Sequence, residues 1–423
     1  MQTPDTTRTS DRRTTTRSNA ATAVTDGESE PTRRAFLRRT ATTSAIIVGA
    51  GGLPTRGAGR SPPTRDVMVT GNAKNGTVSV SDAQTYTDLR TIDVYPDRDK
   101  EDALEDVIDS ISPVFLNAVV RDNYLEHASL SPDGRTLYAS RGHVGDVVAI
   151  DIETGEKLWE TNLDGFRADH QTISPDGTYL YVSDLLADQI DKIDTETGAV
   201  VADGVAHNLP HGNHLHRVAG FDKQLLINGS LGNMVFPDSA LGDPFHHQLT
   251  FLVPETMETM RTVQFNEGVR PIAITDDGRW IYVQLSYFHG FHEYDAVNDQ
   301  ITRTKRLPKT DHVPDAEHEY PAQSAHHGID ISGDGKYLCI AATTSWYAAI
   351  VRRSDLRLIE MIPVGKFPYW VQTAPDGEHA FVPVRKENEI SVINYEAAAE
   401  VARIPTGAEP HVTEYGAVPE AIL

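Results

Sequence analysis

The chain has 423 residues, with 61 acidic and 38 basic side chains and a net charge of −23. Residues 1–65 hold 11 arginines and 5 acidic residues, or 11 − 5 = +6, so the remainder carries about −29. Such an acidic surface repels phosphate groups and excludes nucleic acid as a partner, and it favours a medium in which salt screens like charges. We therefore expect a halophilic, extracellular protein.

The first 65 residues are rich in Thr, Ser and Arg, a composition that cannot bury a core, so we expect residues 1–65 to be disordered. Within them, the pair Arg33-Arg34 precedes a small apolar run from Ala41 to Leu53. A twin arginine ahead of such a run is typical of a twin-arginine signal peptide, and the run is too short for an ordinary membrane span. The sequence predicts export after folding, to the extracellular space or the cell surface, with no transmembrane anchor.

Five short turn sequences, each ending in Asp-Gly, divide the rest of the chain. They are Ser131–Gly134, Ser174–Gly177, Thr275–Gly278, Ser332–Gly335 and Ala374–Gly377. Glycine accepts positive φ and aspartate bonds the backbone that follows it, so Asp-Gly makes a tight reversal between strands. An apolar, aromatic-rich run follows each turn, and neighbouring copies recur at intervals of 42 to 57 residues outside an irregular fourth repeat. This recurrence is typical of the blades of a β-propeller.

The segments after residue 66 predict six complete blades and one split blade. The complete blades cover about residues 125–164, 168–206, 210–265, 269–307, 325–364 and 367–405. The N-terminal strands lack a first strand, and the run Pro410–Tyr415 resembles a first strand without a blade. Joining the two closes the ring and leaves no sheet edge exposed, whereas a linear solenoid would need capping repeats that we do not find.

We therefore predict an all-β protein, a seven-bladed β-propeller over residues 66–418. It is closed by pairing a C-terminal strand A with N-terminal strands B, C and D. Residues 419–423 are predicted to form a C-terminal tail, and a monomer is the expected state.

The last complete repeat has a recognisable pattern. It contains Ile362-Pro-Val-Gly365, Ala374-Pro-Asp-Gly377, Ile390-Ser-Val-Ile393 and a Pro-Thr-Gly turn ending at Gly407. This pattern resembles the YVTN family of β-propellers, which includes archaeal surface-layer proteins and YncE-like periplasmic proteins. The resemblance covers about residues 66–418 and implies the fold. It implies no single activity, because these propellers serve many roles.

Histidines stand at the start of five of the seven predicted innermost strands, and the other two carry Arg270 and Tyr369-Trp370 at that point. Innermost strands converge on one axis, so these side chains come within reach of a common ligand. Imidazole binds copper, zinc and iron, which makes a transition metal the expected cofactor. The candidate metal ligands are His127, His170, His211, His214, His216, His327 and His411. A polar funnel of dispersed histidines without a metal is the alternative.

Four carboxylates near these positions could fix imidazole tautomers: Glu126, Asp169, Glu317 and Glu319. Arg270 and Glu319, together with His327, could also perform general acid–base chemistry. Such a set resembles the one that propeller lactonases and the streptogramin lyase gather at the channel mouth.

Two classes of function remain open. The sequence favours a binding protein that presents a histidine-lined pocket to a cell-surface protein, a glycan or a small-molecule ligand. Aromatic loop residues could form its contact patch: Phe236, Phe245, Tyr287, Phe288, Phe291, Trp346 and Tyr347. The alternative is a metal-dependent oxidoreductase, lyase or lactonase that uses the histidines.

Overall fold

The computed structural model of the protein describes residues 63–98, 123–221, 223–232 and 247–423. These residues form seven four-stranded antiparallel sheets, arranged in a ring as the blades of a β-propeller, which confirms the predicted fold class. The twin-arginine signal lies outside them, as do Phe236 and Phe245. Within these ranges, no helix has the length and apolar character that a membrane span requires.

Each blade contributes one strand to each of four concentric layers. The innermost strands are β28 (Pro410–Pro419), β4 (His127–Leu130), β8 (Ala168–Ile173), β12 (Pro210–Arg217), β16 (Val269–Ile274), β20 (Ile329–Ile331) and β24 (Gln372–Thr373). The second layer is β1 (Thr64–Asn72), β5 (Thr136–Arg141), β9 (Tyr179–Asp184), β13 (Gln224–Ser230), β17 (Trp280–Leu285), β21 (Tyr337–Ala342) and β25 (His379–Val384).

The third layer is β2 (Thr77–Asp82), β6 (Asp146–Asp151), β10 (Gln189–Asp194), β14 (His247–Leu252), β18 (Gly290–Asp295), β22 (Tyr347–Arg352) and β26 (Glu389–Asn394). The outermost strands are β3 (Asp88–Asp93), β7 (Lys157–Asn162), β11 (Val200–Val205), β15 (Thr259–Phe265), β19 (Gln300–Arg306), β23 (Arg357–Pro363) and β27 (Ala399–Pro405). Short 3₁₀ turns lie at Leu185–Ala187, Glu317–Glu319, Pro321–Gln323 and Glu420–Ile422.

The first blade is split between the two ends of the chain, as predicted. Strand β28 pairs antiparallel with β1, from Thr64 opposite Pro419 to Asn72 opposite Pro410. The strand therefore continues past residue 418. Ile422 packs into the apolar core between the first two blades, and Arg90 donates a hydrogen bond of 3.0 Å to its carbonyl oxygen. The end of the chain thus stabilises the closure of the ring.

The innermost strands contact one another in a closed cycle, in the order β28, β4, β8, β12, β16, β20, β24 and back to β28. Their ends therefore surround a single axis, and the residues at their starts face a common space. Behind them, β-branched and aromatic side chains fill the space between neighbouring blades. Cys339 is one of these buried core residues, so its thiol has a packing role.

The Asp-Gly turns require glycine for two reasons. The glycines of all five turns have positive φ, between 67° and 75°. The turns also pack tightly against other strands: a Cβ on Gly134 would lie 1.9 Å from the Ala417 carbonyl oxygen, and one on Gly278 would lie 1.9 Å from that of Arg217. Each turn residue therefore helps to fix a blade against its neighbour.

The predicted aromatic contact patch is wrong in two members. Phe291 is fully buried in β18, and Tyr347 is 2% exposed at the start of β22, so both belong to the core. The reason is register: both residues begin third-layer strands, where side chains pack between blades rather than in loops. Neither can contact a partner on the surface.

A buried carboxylate in the third blade makes stability depend on pH. Asp191 in β10 is 2% exposed, and burial together with the charge of Asp184 raises its pKa from 3.8 to about 7. Between about pH 4 and pH 7 the folded state keeps a proton that the unfolded state has lost, so stability falls as pH rises through this window. We expect Asp191→Asn to raise the free energy of unfolding by roughly 1–3 kcal/mol at pH 8 and to change it little at pH 4.

Urea denaturation at the two pH values measures this effect. The asparagine can still accept the hydrogen bond of 2.8 Å that Gln189 donates to Asp191. The exposed Glu196, in the turn after the same strand, provides the control variant Glu196→Gln. A less stable Asp191→Asn variant at pH 8 would contradict the prediction and would mean that the carboxylate is needed in its charged form.

Candidate metal centre

The structure brings five of the predicted ligands together at the start of the innermost strands. The ring centroid of His170 lies 4.3 Å from that of His211, 5.4 Å from His127, 6.0 Å from His411 and 6.2 Å from His327. Each of the five side chains is at most 3% exposed. We refer to these five residues as the axial histidine cluster. Its members come from five blades, so the closed ring is what assembles it.

Three members of the cluster, His170, His211 and His327, form a set of potential metal ligands. One ring nitrogen of each lies within 4.8 Å of the others. His211 Nε2 and His327 Nε2 face each other at 3.0 Å. Ligand nitrogens at bonds of about 2.0–2.1 Å in a tetrahedral site are separated by roughly 3.3 Å. The group could therefore hold a metal ion with small adjustments of its side chains.

The hydrogen bonds of His211 and His327 determine which of their nitrogens are free. His211 Nδ1 lies 2.6 Å from Asp169 Oδ1, and His327 Nδ1 lies 3.2 Å from the Tyr369 carbonyl oxygen. Each oxygen is an acceptor, so each Nδ1 carries the proton and each Nε2 is left with a lone pair. Two lone pairs that face each other at 3.0 Å repel, unless a proton or a metal ion lies between or beside them. The pair is arranged to bind a positive centre.

A second chain of hydrogen bonds assigns the tautomer of His170. His127 Nε2 donates to Glu414 Oε1 at 2.7 Å, so His127 Nδ1 is an acceptor. It accepts from His170 Nδ1 at 3.2 Å and from the backbone N–H of Gln171 at 3.4 Å. His170 Nε2 is then a lone pair, and this atom is buried without a hydrogen-bond partner among the described residues. All three members of the ligand set therefore present an unprotonated Nε2.

In four members of the cluster, burial favours the neutral form that metals bind. It lowers the pKa of His170, His327 and His411 well below the usual value, with nearby positive charge as a further cause. It also lowers the pKa of His211, although the contact with Asp169 opposes this effect. At neutral pH the imidazoles therefore need not lose a proton before they coordinate a metal.

Two buried carboxylates flank the cluster and behave differently. Burial and the charge of Asp169 raise the pKa of Glu126 to about 8. Burial also opposes the ionisation of Asp169, but contact with His211 and Arg167 lowers its pKa below the usual value. At neutral pH Asp169 is thus the anion that supports His211, whereas Glu126 is mainly a neutral acid. Glu126 Oε1 lies 3.5 Å from Nε2 of His411.

Aromatic rings of the seventh blade enclose the cluster. Tyr369 stacks on His327 with centroids 3.8 Å apart, and Trp370 lies 5.1 Å from His170. These residues occupy the position at which five of the other six blades carry histidine. They exclude water from the ligand set, which strengthens electrostatic interactions within it.

His214 and His216, both predicted as ligands, are not members of the three-histidine ligand set. His214 lies beside the cluster, since a Cβ on Gly212 would be 3.6 Å from its Nε2 and the charges of His127 and His211 act on it. His216 is two residues farther along β12. Burial lowers the pKa of His214 to about 4, and its Nε2 has no hydrogen-bond partner within the described ranges. His216 Nδ1 donates to the Arg217 carbonyl oxygen at 2.7 Å.

The two candidate acid–base residues are also separated. Arg270 is buried at the start of β16, where it donates hydrogen bonds to Ser286 Oγ and the Gln323 carbonyl oxygen, each at 3.0 Å. Glu319, like Glu317, is exposed on the 3₁₀ turn Glu317–Glu319. Among the described residues, no hydrogen bond or ion pair joins Glu319 to Arg270 or His327, so the structure does not assemble that set.

Sequence reasoning missed Arg167 and Glu414. Arg167 donates to Glu126 Oε2 at 3.1 Å and lies 3.7 Å from Asp169 Oδ2, whereas Glu414 accepts from His127. The signal for Arg167 was its place directly before an innermost strand, three residues ahead of His170. Glu414 lies in β28, three residues after His411. No sequence pattern marks it as a partner of His127.

A separate cavity of about 460 Å³ is lined by residues of the fifth and sixth blades. Its charged groups have partners: Arg303 pairs with Glu293, and Lys336 lies 2.8 Å from Asp334. No member of the axial histidine cluster lines it. We place the chemistry at the cluster, where groups with unsatisfied hydrogen-bonding capacity converge.

Comparison with known proteins supports the fold alone. No family model matches the chain, and no curated protein matches its sequence, so the resemblance to the YVTN family is not confirmed. Among solved structures, a putative 6-phosphogluconolactonase from Bacteroides fragilis is similar, with a TM-score of 0.59 and 15% identity over 86% of this chain and 99% of that one. Hydrazine synthase from Kuenenia stuttgartiensis is also similar, with a TM-score of 0.54 and 17% identity over 68% of this chain and 88% of that one.

Proposed function

We propose that this protein is a metal-dependent enzyme that acts on a small molecule at the axis of its propeller. His170, His211 and His327 hold one transition-metal ion through Nε2, and His127, Asp169 and the Tyr369 carbonyl oxygen fix the ring orientations. Three neutral nitrogen ligands suit copper, zinc or iron. The proposal includes a YVTN-like propeller that is exported folded by the twin-arginine route and works outside the cell.

The opposed Nε2 atoms of His211 and His327 are the observation that supports this proposal most. A dispersed polar funnel would let each imidazole find a donor for its lone pair. In this protein Nδ1 of His211 and of His327 is the donor, so their two Nε2 lone pairs face each other, and Nε2 of His170 is buried in the same cluster without a partner among the described residues. An arrangement with this electrostatic cost is expected where a cation compensates it.

The number of protein ligands on the metal favours a catalytic site over a structural one. Structural sites usually saturate a metal with four protein ligands, whereas catalytic sites use three and leave a position for water or substrate. The bound ion would polarise an oxygen of the substrate, activate water or exchange an electron. The candidate reactions remain those of an oxidoreductase, a lyase or a lactonase.

A binding protein without catalysis is the second candidate, and it was the one that the sequence favoured. Its support has weakened because Phe291 and Tyr347 of the expected contact patch are core residues. A metal-free, colourless protein that captures a cell-surface protein or glycan would support it.

Elemental analysis tests the proposed function. The protein is purified from its own host, folded as exported, and assayed for copper, zinc and iron together with its absorbance spectrum. We expect about one equivalent of a single metal, because only one three-histidine set converges among the described residues. Less than about a tenth of an equivalent, both as isolated and after incubation with each metal, would contradict the proposal.

A further inference from the structure

Arg270 is a buried cation without a counter-charge. Its side chain is 4% exposed, and no carboxylate of the described residues forms an ion pair with it. Nε and Nη2 donate to Ser286 and to the Gln323 carbonyl oxygen, whereas Nη1 has no hydrogen-bond partner within the described ranges. Burying a guanidinium without an anion is costly, so the site is incomplete as it stands.

Three other donor atoms beside the cluster are buried and also lack an acceptor. Nε and Nη1 of Arg167, and Nε1 of Trp370, are buried without hydrogen-bond partners in the part of the chain that the structure describes. All of these atoms are donors only, since neither guanidinium nor indole nitrogen can accept a hydrogen bond. What they lack is therefore an acceptor, and the strongest acceptor is an anion.

Both arginines lie close to the proposed metal ligands. The charges of Arg167 and Arg270 both disfavour the protonated form of His211, and Arg270 has the same effect on His327. Arg270 lies at the start of β16, and this strand contacts both β12, which carries His211, and β20, which His327 precedes. An anion bound beside these nitrogens would be within the influence of the guanidinium.

The charges of the region indicate what a bound metal would attract. Arg167 pairs with Glu126 and Asp169, and Arg385 pairs with Glu409, whereas Arg270 has no carboxylate partner among the described residues. A divalent ion would add roughly two positive charges to a region with little water. An anionic ligand in the open coordination position would offset this excess.

We infer that the metal centre takes a small carboxylate, as substrate or as exogenous ligand, with one oxygen on the metal and the other accepting from Arg270 Nη1. A carboxylate has two oxygens that can bridge a metal and a guanidinium, which a halide cannot do. The inference rests on the proposed function, since the metal supplies half of the site. It names Arg270 as the residue that determines substrate class.

Anion titration of the Co²⁺-loaded protein tests the inference, because the visible absorption of Co²⁺ changes when a ligand enters its coordination sphere. Sodium acetate and sodium chloride are added separately at constant ionic strength, with perchlorate as the background anion. We expect Arg270→Gln to weaken acetate binding roughly 10- to 100-fold, the usual effect of losing an ionic hydrogen bond. The chloride affinity of Arg270→Gln should differ from that of the control variant by less than about twofold.

The control is Arg352→Gln, which removes an exposed arginine that pairs with Asp355. If Arg270→Gln does not fold, Arg270→Lys is used in its place. Lysine keeps the positive charge but lacks the planar guanidinium that can donate two parallel hydrogen bonds. Acetate binding that is then at least about threefold weaker supports the inference.

Cobalt content is measured on every sample, so that two failures can be told apart. Fully loaded protein whose acetate affinity is unchanged by the Arg270 variants overturns this inference and leaves the proposed function standing. Equal losses for acetate and chloride overturn it as well. Wild-type protein that takes up no metal overturns both.

Discussion

Replacing His170, His211 or His327 singly by alanine is expected to lower bound metal from about one equivalent to less than about a tenth, at metal concentrations that saturate the wild type. Two nitrogen ligands cannot hold a divalent ion against buffer and water as three do. We expect affinity to fall by about 100-fold or more in each variant, since even the loss of a supporting group beside a ligand costs 10- to 100-fold. Competition with a chelator of known affinity measures it.

The matched control is His216→Ala, since His216 is also in an innermost strand but lies outside the cluster and bonds a backbone oxygen. Its metal content should equal that of the wild type. Thermal unfolding of the metal-free proteins checks that loss of metal is not loss of fold. Full metal occupancy in any of the three cluster variants, or equal loss in His216→Ala, would contradict the ligand assignment.

Asp169→Asn is expected to weaken metal binding by about 10- to 100-fold without removing a ligand. The Asp169 Oδ1 atom accepts from His211 Nδ1 at 2.6 Å and from the His170 backbone N–H at 2.8 Å. An asparagine loses the negative charge that makes His211 a stronger donor to the metal. Its NH₂ group must also face either these two N–H groups or the guanidinium of Arg167, and both arrangements are unfavourable.

Asp330→Asn is the control for this change. Asp330 is a carboxylate of the innermost strand β20 that accepts hydrogen bonds from the backbone N–H groups of Thr373 and Ile331. Its replacement should lower stability but leave metal affinity within about twofold of the wild type, since it is not a hydrogen-bond partner of a ligand. An Asp169→Asn variant with wild-type metal affinity would show that the carboxylate has no part in supporting the site.

The fold could be predicted from the sequence because the turns and strands that define each blade have local sequence patterns, and these patterns repeat along the chain. Each Asp-Gly turn is encoded by a glycine whose positive φ no other residue adopts readily, and an apolar run follows it. The split blade could be inferred because Pro410–Tyr415 would otherwise leave an unpaired strand. Phe291 and Tyr347 were wrongly predicted to lie in loops. Both lie at the start of a strand, where the side chain packs in the core, and the sequence does not fix a strand boundary to within one residue.

The site was accessible only in part. The rule that innermost strands converge was enough to bring His127, His170, His211, His327 and His411 together. It could not exclude His216, because alternation along a strand predicts which side a residue faces but not how far along the axis it lies. Partners that depend on three-dimensional packing, such as Arg167 with Glu126 or Glu414 with His127, are separated by 41 and 287 residues and leave no pattern in the chain.

An anomalous difference map from crystals of the metal-loaded protein, collected at the absorption edge of the metal, tests the central claim most directly. We predict a single strong peak within about 2.0–2.3 Å of Nε2 in His170, His211 and His327 together. A peak located elsewhere, or bonded to Nδ1 atoms instead, would contradict the assignment of tautomers. The absence of any peak at the axis in fully loaded crystals would contradict the metal centre itself.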